Sequence, residues 1–239
     1  MPSAFTVSDS RLAGFGIRYA GCTCYDAADF ACCLFSIAVD AWEHGATALC
    51  CASYDDAWLP EPDGFSAGSL CFTPDGSFCR LEKNLAAPQS VPTLRLKPLR
   101  PFISDLFAAL YNEAFSTVAH ARSMDAAYLA AQMNRPDSAA GLFMEGGMPV
   151  GVYVIDTAGD PAEISAVAVR TDLWGQGYGR RALFALEHHL FQQGVSQVQL
   201  VVSEKNTRAL HLYHAAGYRE CGIHSRWFRA ELSEDRFRV

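Results

Sequence analysis

Val169-Arg170-Thr171-Asp172-Leu173-Trp174-Gly175-Gln176-Gly177-Tyr178-Gly179-Arg180-Arg181-Ala182-Leu183 sets a glycine-spaced turn between a β-branched apolar run and an amphipathic segment of helical period. Glycine reaches backbone conformations closed to other residues and lets the chain approach a ligand closely. The first amides of the following helix have no intrahelical acceptors, and the helix macrodipole adds partial positive charge at the same place. The stretch therefore reads as a pyrophosphate cradle in which main chain does most of the holding. Two other glycine loops share this logic, and the sequence sets both aside. A Walker loop ends in Gly-Lys-Ser/Thr, which is absent. A dinucleotide fingerprint needs an acidic residue after the next strand, whereas Gln197–Val202 runs into Ser203-Glu204-Lys205-Asn206 and another helix.

A second motif, C-terminal to the cradle, narrows the reading. Val201-Val202-Ser203-Glu204-Lys205-Asn206-Thr207-Arg208-Ala209-Leu210-His211-Leu212-Tyr213-His214-Ala215-Ala216-Gly217-Tyr218 resembles the second signature of the GNAT superfamily of N-acetyltransferases: strand, Asn, helix, Tyr, then Gly and an aromatic. The resemblance spans about residues 93–230 and joins both motifs at the family's separation. It implies acetyl-coenzyme A as cofactor, entering between two strands that splay apart, here Glu163–Val169 and Gln197–Val202. It also implies cofactor contacts from Val167, Ala168 and Val169 at the strand end, from Gly175, Gln176, Gly177, Tyr178, Gly179, Arg180 and Arg181 in the loop, and from Asn206. Trp174 departs from the pattern, since the family usually carries Gln or Arg there.

Transfer of an acetyl group to an amine needs a deprotonated nucleophile, a polarised thioester carbonyl and a stabilised leaving thiolate. Glu163, at the start of the strand entering the loop, is the candidate base, by resemblance to family members with a glutamate at an equivalent place. Strand alternation groups Glu163 with Ser165, Val167 and Val169, against Ile164, Ala166 and Ala168, and leaves open which set faces the cleft. Tyr213, seven residues after Asn206, falls on the family's position for a general acid toward the coenzyme thiolate. Its alternative is a core tyrosine beside Leu210 and Leu212, and the alternative for Asn206 is a plain helix cap. Tyr111, Asn112, Glu113, His120, Arg122 and Tyr128 lie in the region that lines the acceptor pocket in the family. The acceptor is expected to be a primary amine of a small molecule or peptide, attacking directly in a ternary complex. The rival reading is a non-catalytic module that binds or senses acyl-coenzyme A. His188-His189 and the pair His211 and His214 lack a third ligand nearby, so no metal is expected.

The chain has 239 residues, half of them hydrophobic, and a net charge of −7. Residues 1–90 hold four basic and eleven acidic side chains, so the whole imbalance sits there. No basic stripe or tail is present, which argues against nucleic acid as a partner. No basic leader precedes an apolar core and no window approaches a membrane span, so the chain reads as soluble and cytoplasmic, with no membrane partner and with a homodimer left open. Eight of nine cysteines fall in residues 1–90, as doublets and a Cys-x-Cys within apolar runs, and read as reduced, buried small hydrophobes.

Ala86-Ala87-Pro88-Gln89-Ser90-Val91-Pro92 interrupts the periodic pattern and reads as a boundary between residues 1–90 and 91–239. Beyond it the expected order is strand (Thr93–Leu96), helices (Phe102–Phe115, and Met124–Met133 capped by Ser123), a hairpin turning at Gly146-Gly147, and strand Glu163–Val169. The loop helix, strand Gln197–Val202, a helix over Thr207–Ala216 and two closing strands, Tyr218–Cys221 and Ser225–Ala230, complete it. The fold class is α/β, with a GNAT-like mixed, mostly antiparallel twisted sheet and helices on both faces. Ahead of it, Leu12–Cys24, Ala27–Glu43, Ala46–Ala52, Ser69–Phe72 and Phe78–Glu82, with a turn at Pro74-Asp75-Gly76, follow the order of half such a domain. That half has an acidic loop, Gly21–Asp29, and is expected to be a degenerate copy without a cofactor site.

Overall fold

The computed structural model describes residues 4–9, 17–23, 27–53, 63–88, 90–118, 120–121 and 123–237, with side chains from residue 31 onward. Two compact units emerge. The first comprises Met1–Cys79, Ser203–Lys205 and Gly222–Val239, the second Arg80–Val202 and Asn206–Cys221. The chain thus first changes unit inside a strand, ahead of Ala86–Pro92.

In the first unit, β1 (Ala4–Asp9) pairs antiparallel with β2 (Ile17–Thr23), and α1 (Ala27–Glu43) carries the chain to β3 (Ala48–Ser53), parallel to β2. Leu34, Ala38 and Ala41 recur at helical spacing on α1 and bury against Leu49 and Cys51 of β3, with Phe72 and Phe228. The opposite face of β3 places Cys50 and Ala52 against Trp227. β4 (Phe65–Ala67) pairs with the start of β5 (Leu70–Asn84).

β5 corrects the expectation of a turn at Pro74-Asp75-Gly76, since one strand runs through it. Backbone partners override the turn chemistry there. Glu204 N donates to Ser77 O at 3.0 Å, Ser77 N donates to the Glu204 carboxylate at 3.1 Å, and Lys205 Nζ donates to Asp75 O at 2.8 Å. Gly76 absorbs the bend at φ +118°, a conformation L side chains rarely adopt. The two closing strands are likewise one, β11 (Arg219–Glu231), whose residues from Arg226 to Glu231 pair with all of β3. The cysteines also differ from expectation. Cys50 and Cys51 are buried and the seven cysteines whose side chains are described are free thiols, yet Cys32, Cys71 and Cys221 are exposed. The loop expected at Gly21–Asp29 falls partly outside the described residues.

The second unit orders its strands β5-β10-β9-β8-β7-β6, with β6 (Arg95–Pro98), β7 (Ser138–Glu145), β8 (Met148–Asp156), β9 (Ala162–Val169) and β10 (Gln197–Ser203). Pairing is antiparallel from β6 to β9 and parallel between β9 and β10. The β7–β8 hairpin turns at Gly146-Gly147 as expected. α2 (Ser104–Phe115) and α3 (Ala126–Met133) cover one sheet face, with Phe107, Tyr111 and Leu129 packed on Leu142, Val152, Val154, Ala166 and Ala168. α3 is capped by the Asp125 side chain, which accepts from Tyr128 N at 2.7 Å, and not by Ser123. α4 (Tyr178–Gln192) buries Ala182, Leu183, Leu186 and Leu190 outside that cluster, so helices lie on both faces. α5 (Thr207–Ala215) stops at Gly217. Among the described residues no helix is long and apolar enough to cross a membrane.

Candidate active site

The parallel ladder between β9 and β10 holds Val198 opposite Ala162 and Gln199 opposite Glu163, and ends there. Beyond Glu163 the strands part. β9 continues to Val169 paired with β8 alone, while Ala166, Ala168 and Val169 stay buried. Buried backbone N–H and C=O groups are rarely left without partners, so the free edge of β9 is suited to a ligand that brings its own amides. Six residues at about 3.3 Å each give this edge a length of about 20 Å from Glu163 to Val169.

Glu163 therefore stands at the vertex of the gap. The β8–β9 register shifts between Val154 and Ile155, so that Val154 opposes Ala166 while Ile155 opposes Ile164. Ser165 is the extra residue of a β-bulge, and the bulge resets the alternation expected from sequence. Glu163 opposes Asp156 and so falls on the face of Val152 and Val154, beneath α2, and not with Val167 and Val169. The half-buried carboxylate accepts a hydrogen bond from Ser165 Oγ at 3.1 Å.

At the other end of the edge, a 3-10 turn over Thr171–Leu173 leads through Trp174 and Gly175 to Gly177, the N-cap of α4. Gly175 and Gly177 have φ of +75° and +81°, and a Cβ at either would meet open space, so the glycines serve conformation and not packing. Gln176 N donates to Leu173 O at 3.4 Å and Arg181 N to Gly177 O at 3.2 Å. The amides of Gly177, Tyr178, Gly179 and Arg180 meet no backbone acceptor among the described residues. The amides without a backbone acceptor among the described residues thus leave out Gln176 and Arg181, the two ends of the glycine loop.

The side chains of Tyr178 and Arg181 turn to the β7–β8 hairpin. Tyr178 Oη and Arg181 Nη2 both donate to the Glu145 carboxylate, and Arg181 Nε donates to Thr93 Oγ1 at 2.9 Å. These bonds, Arg181 first, hold the Glu145 carboxyl below the usual range. Trp174 Nε1 donates to Val169 O at 2.9 Å, taking one carbonyl at the open end of β9, and its ring lies under the Arg208 guanidinium, 3.5 Å from Cζ to the ring centroid.

On α5, Asn206 Oδ1 accepts from Ala209 N at 3.2 Å, so this residue is the helix cap, and its Nδ2 has no partner among the described residues. Tyr213 is 9% exposed, with its ring 5.7 Å from that of Tyr218. Burial pushes its phenol up to about 12. In the region expected to line an acceptor pocket, Tyr111 stacks between Phe107 and Phe115, and Asn112 clamps the backbone of Met124 through both amide atoms, so both are structural. Glu113 accepts from Thr171 Oγ1, which ties α2 to the cradle, and His120 turns the chain at φ +58°. Arg122 lies outside the described residues. Sequence reasoning missed Ser165, Glu145 and Arg208, and no local pattern marks any of them.

Residues 103–218 match the sequence model of the Acetyltransferase (GNAT) family, and this part of the chain is a GNAT domain. The fold is similar to a GCN5-related N-acetyltransferase from Sphaerobacter thermophilus, with TM-score 0.66 and 16% identity over 96% of this chain and 76% of that one. It is also similar to a GCN5-related N-acetyltransferase from Kribbella flavida, with TM-score 0.59 and 17% identity over 97% and 87%. No curated protein sequence matches the chain. At these identities the likeness is one of fold, and that fold is the one used by acyl-coenzyme A dependent N-acetyltransferases.

Proposed function

We propose that the protein is an N-acetyltransferase that moves an acetyl group from acetyl-coenzyme A to a primary amine of a small molecule or peptide, by direct attack in a ternary complex. The observation that carries this reading is the end of the β9–β10 ladder at Glu163, which leaves a partly buried strand edge between a candidate base and four amides that meet no backbone acceptor among the described residues. Bound acetyl-coenzyme A supplies the activated thioester. The amides of Gly177 to Arg180 take its pyrophosphate, the edge from Val167 to Val169 pairs with its pantetheine amides, and Asn206 offers Nδ2 alongside. Glu163 receives a proton from the acceptor nitrogen on its carboxylate. Tyr213 keeps its proton on Oη, because its pKa of about 12 lies well above the ~8.5 of an ordinary thiol, and it stabilises the departing sulfur mainly as a hydrogen-bond donor.

The first unit, on this reading, is a degenerate half-domain without a cofactor site. Calorimetry of the full chain with coenzyme A, followed by thiol release from acetyl-coenzyme A across a panel of amines and peptides, tests both statements. One coenzyme per chain and turnover on at least one amine are expected, and a stoichiometry of two contradicts the first-unit assignment. The near-complete burial of Tyr213 favours a second reading, a non-catalytic module that senses acyl-coenzyme A, and tight binding without turnover on any acceptor is its signature.

A further inference from the structure

Four arginines belong to the loop and to the first turns of α4 and α5, and two of them are committed. Arg170 grips Asp172 through Nε at 3.1 Å and Nη2 at 2.7 Å, and Arg181 is held by Glu145. Arg180 and Arg208 are exposed and pair with no carboxylate among the described residues. Arg208 is nevertheless not loose, because its guanidinium carbon sits 3.5 Å over the centroid of the Trp174 ring. Trp174 is fixed in turn by the hydrogen bond from Nε1 to Val169 O. A continuous chain of contacts thus runs from the open end of β9 through Trp174 to the first turn of α5.

Stacking uses only the face of a guanidinium. Its five N–H groups lie in the plane of the group and stay available at the edge, in the fork that suits a phosphate bidentately. The indole beneath it is the residue directly before Gly175, so the cation is mounted on the loop that carries the four amides without a backbone acceptor among the described residues. We infer that Arg208, positioned by the Trp174 ring, binds the pyrophosphate of the coenzyme and forms the side-chain half of a site whose other half is the backbone of Gly177 to Arg180. This deepens, and rests on, the reading of the gap as a coenzyme A site. It gives Trp174 a role as a positioning residue, and it draws the ligand's charge contact from α5, thirty-four residues along the chain.

Calorimetry of the full chain with coenzyme A and with 3′-dephospho-coenzyme A tests the assignment. Arg208→Ala and Arg208→Gln are each expected to weaken both ligands about ten- to hundredfold, as loss of a charge-assisted pair implies. Arg208→Lys weakens them as well, because an ammonium neither stacks flat nor forks. Trp174→Ala weakens binding, and adding it to Arg208→Ala costs little more, because the two residues act as one unit. Arg219→Ala, which removes the same charge from the exposed start of β11, leaves affinity unchanged. If the wild type binds coenzyme A and the Arg208 variants match it, or weaken no more than Arg219→Ala, the inference falls while the cofactor reading stands. Sensitivity to Arg208 that disappears with 3′-dephospho-coenzyme A overturns the pyrophosphate assignment. A wild-type chain that binds neither ligand overturns both the inference and the reading beneath it.

Discussion

β2 and β3 are joined by α1, β9 and β10 by α4, and both strand pairs are parallel, yet they end differently. The first pair is zipped over six consecutive positions, from Ile17 opposite Ala48 to Cys22 opposite Ser53. The second closes over two and opens. β3 is buried along its whole length and pairs on its other side with β11 over the same six residues, so its backbone groups are consumed within the sheet. A β-α-β connection does not by itself leave a gap between its strands. What distinguishes the second unit is the bulge at Ser165, where the register shifts just past the last paired residue, and the glycine loop that ends the strand.

If the gap is where chemistry happens, its vertex is its most sensitive point. Glu163→Gln is expected to lower kcat about 10²–10⁴-fold, as for a lost general base, with coenzyme affinity unchanged. An equal loss of affinity would move Glu163 from chemistry to binding. Tyr213→Phe keeps the packed ring and removes one donor, and turnover is expected to fall about 10²–10³-fold under conditions where chemistry limits the rate. Full turnover would make the phenol structural and give the sulfur its proton from elsewhere. Gly177→Val places a β-branched residue at φ +81°, a strain of about 1–3 kcal/mol, so coenzyme A should bind about tenfold more weakly with the circular dichroism spectrum unchanged. Unaltered affinity in calorimetry would break the contrast between the two units at its loop end.

The features legible in sequence were those written locally. The glycine loop, the stop at Gly217 and the Gly146-Gly147 hairpin each follow from a backbone need that one or two residues announce. Pro74-Asp75-Gly76 announces a turn with equal clarity and is strand, because Glu204 and Lys205, more than a hundred residues away, supply the partners that extend it. The bulge at Ser165 follows from pairing with β8 and has no marker in Ala162–Val169, so the face of Glu163 was beyond reach of alternation. Trp174 was visible as an anomaly. Its partner Arg208 was not, since nothing in the helical pattern after Asn206 distinguishes one exposed arginine from another.

Glu145 grips the first turn of α4 from outside, holding Tyr178 and Arg181 at once while Arg181 also reaches Thr93. These three hydrogen bonds, to Glu145 on the hairpin and to Thr93 before β6, tie the helix end in place with no ligand present. The conformational entropy of ordering the cradle is therefore lost at folding and not at association. Coenzyme capture should then show single-step kinetics without a slow isomerisation, and loosening the anchor with Glu145→Gln should appear first as a less favourable binding entropy.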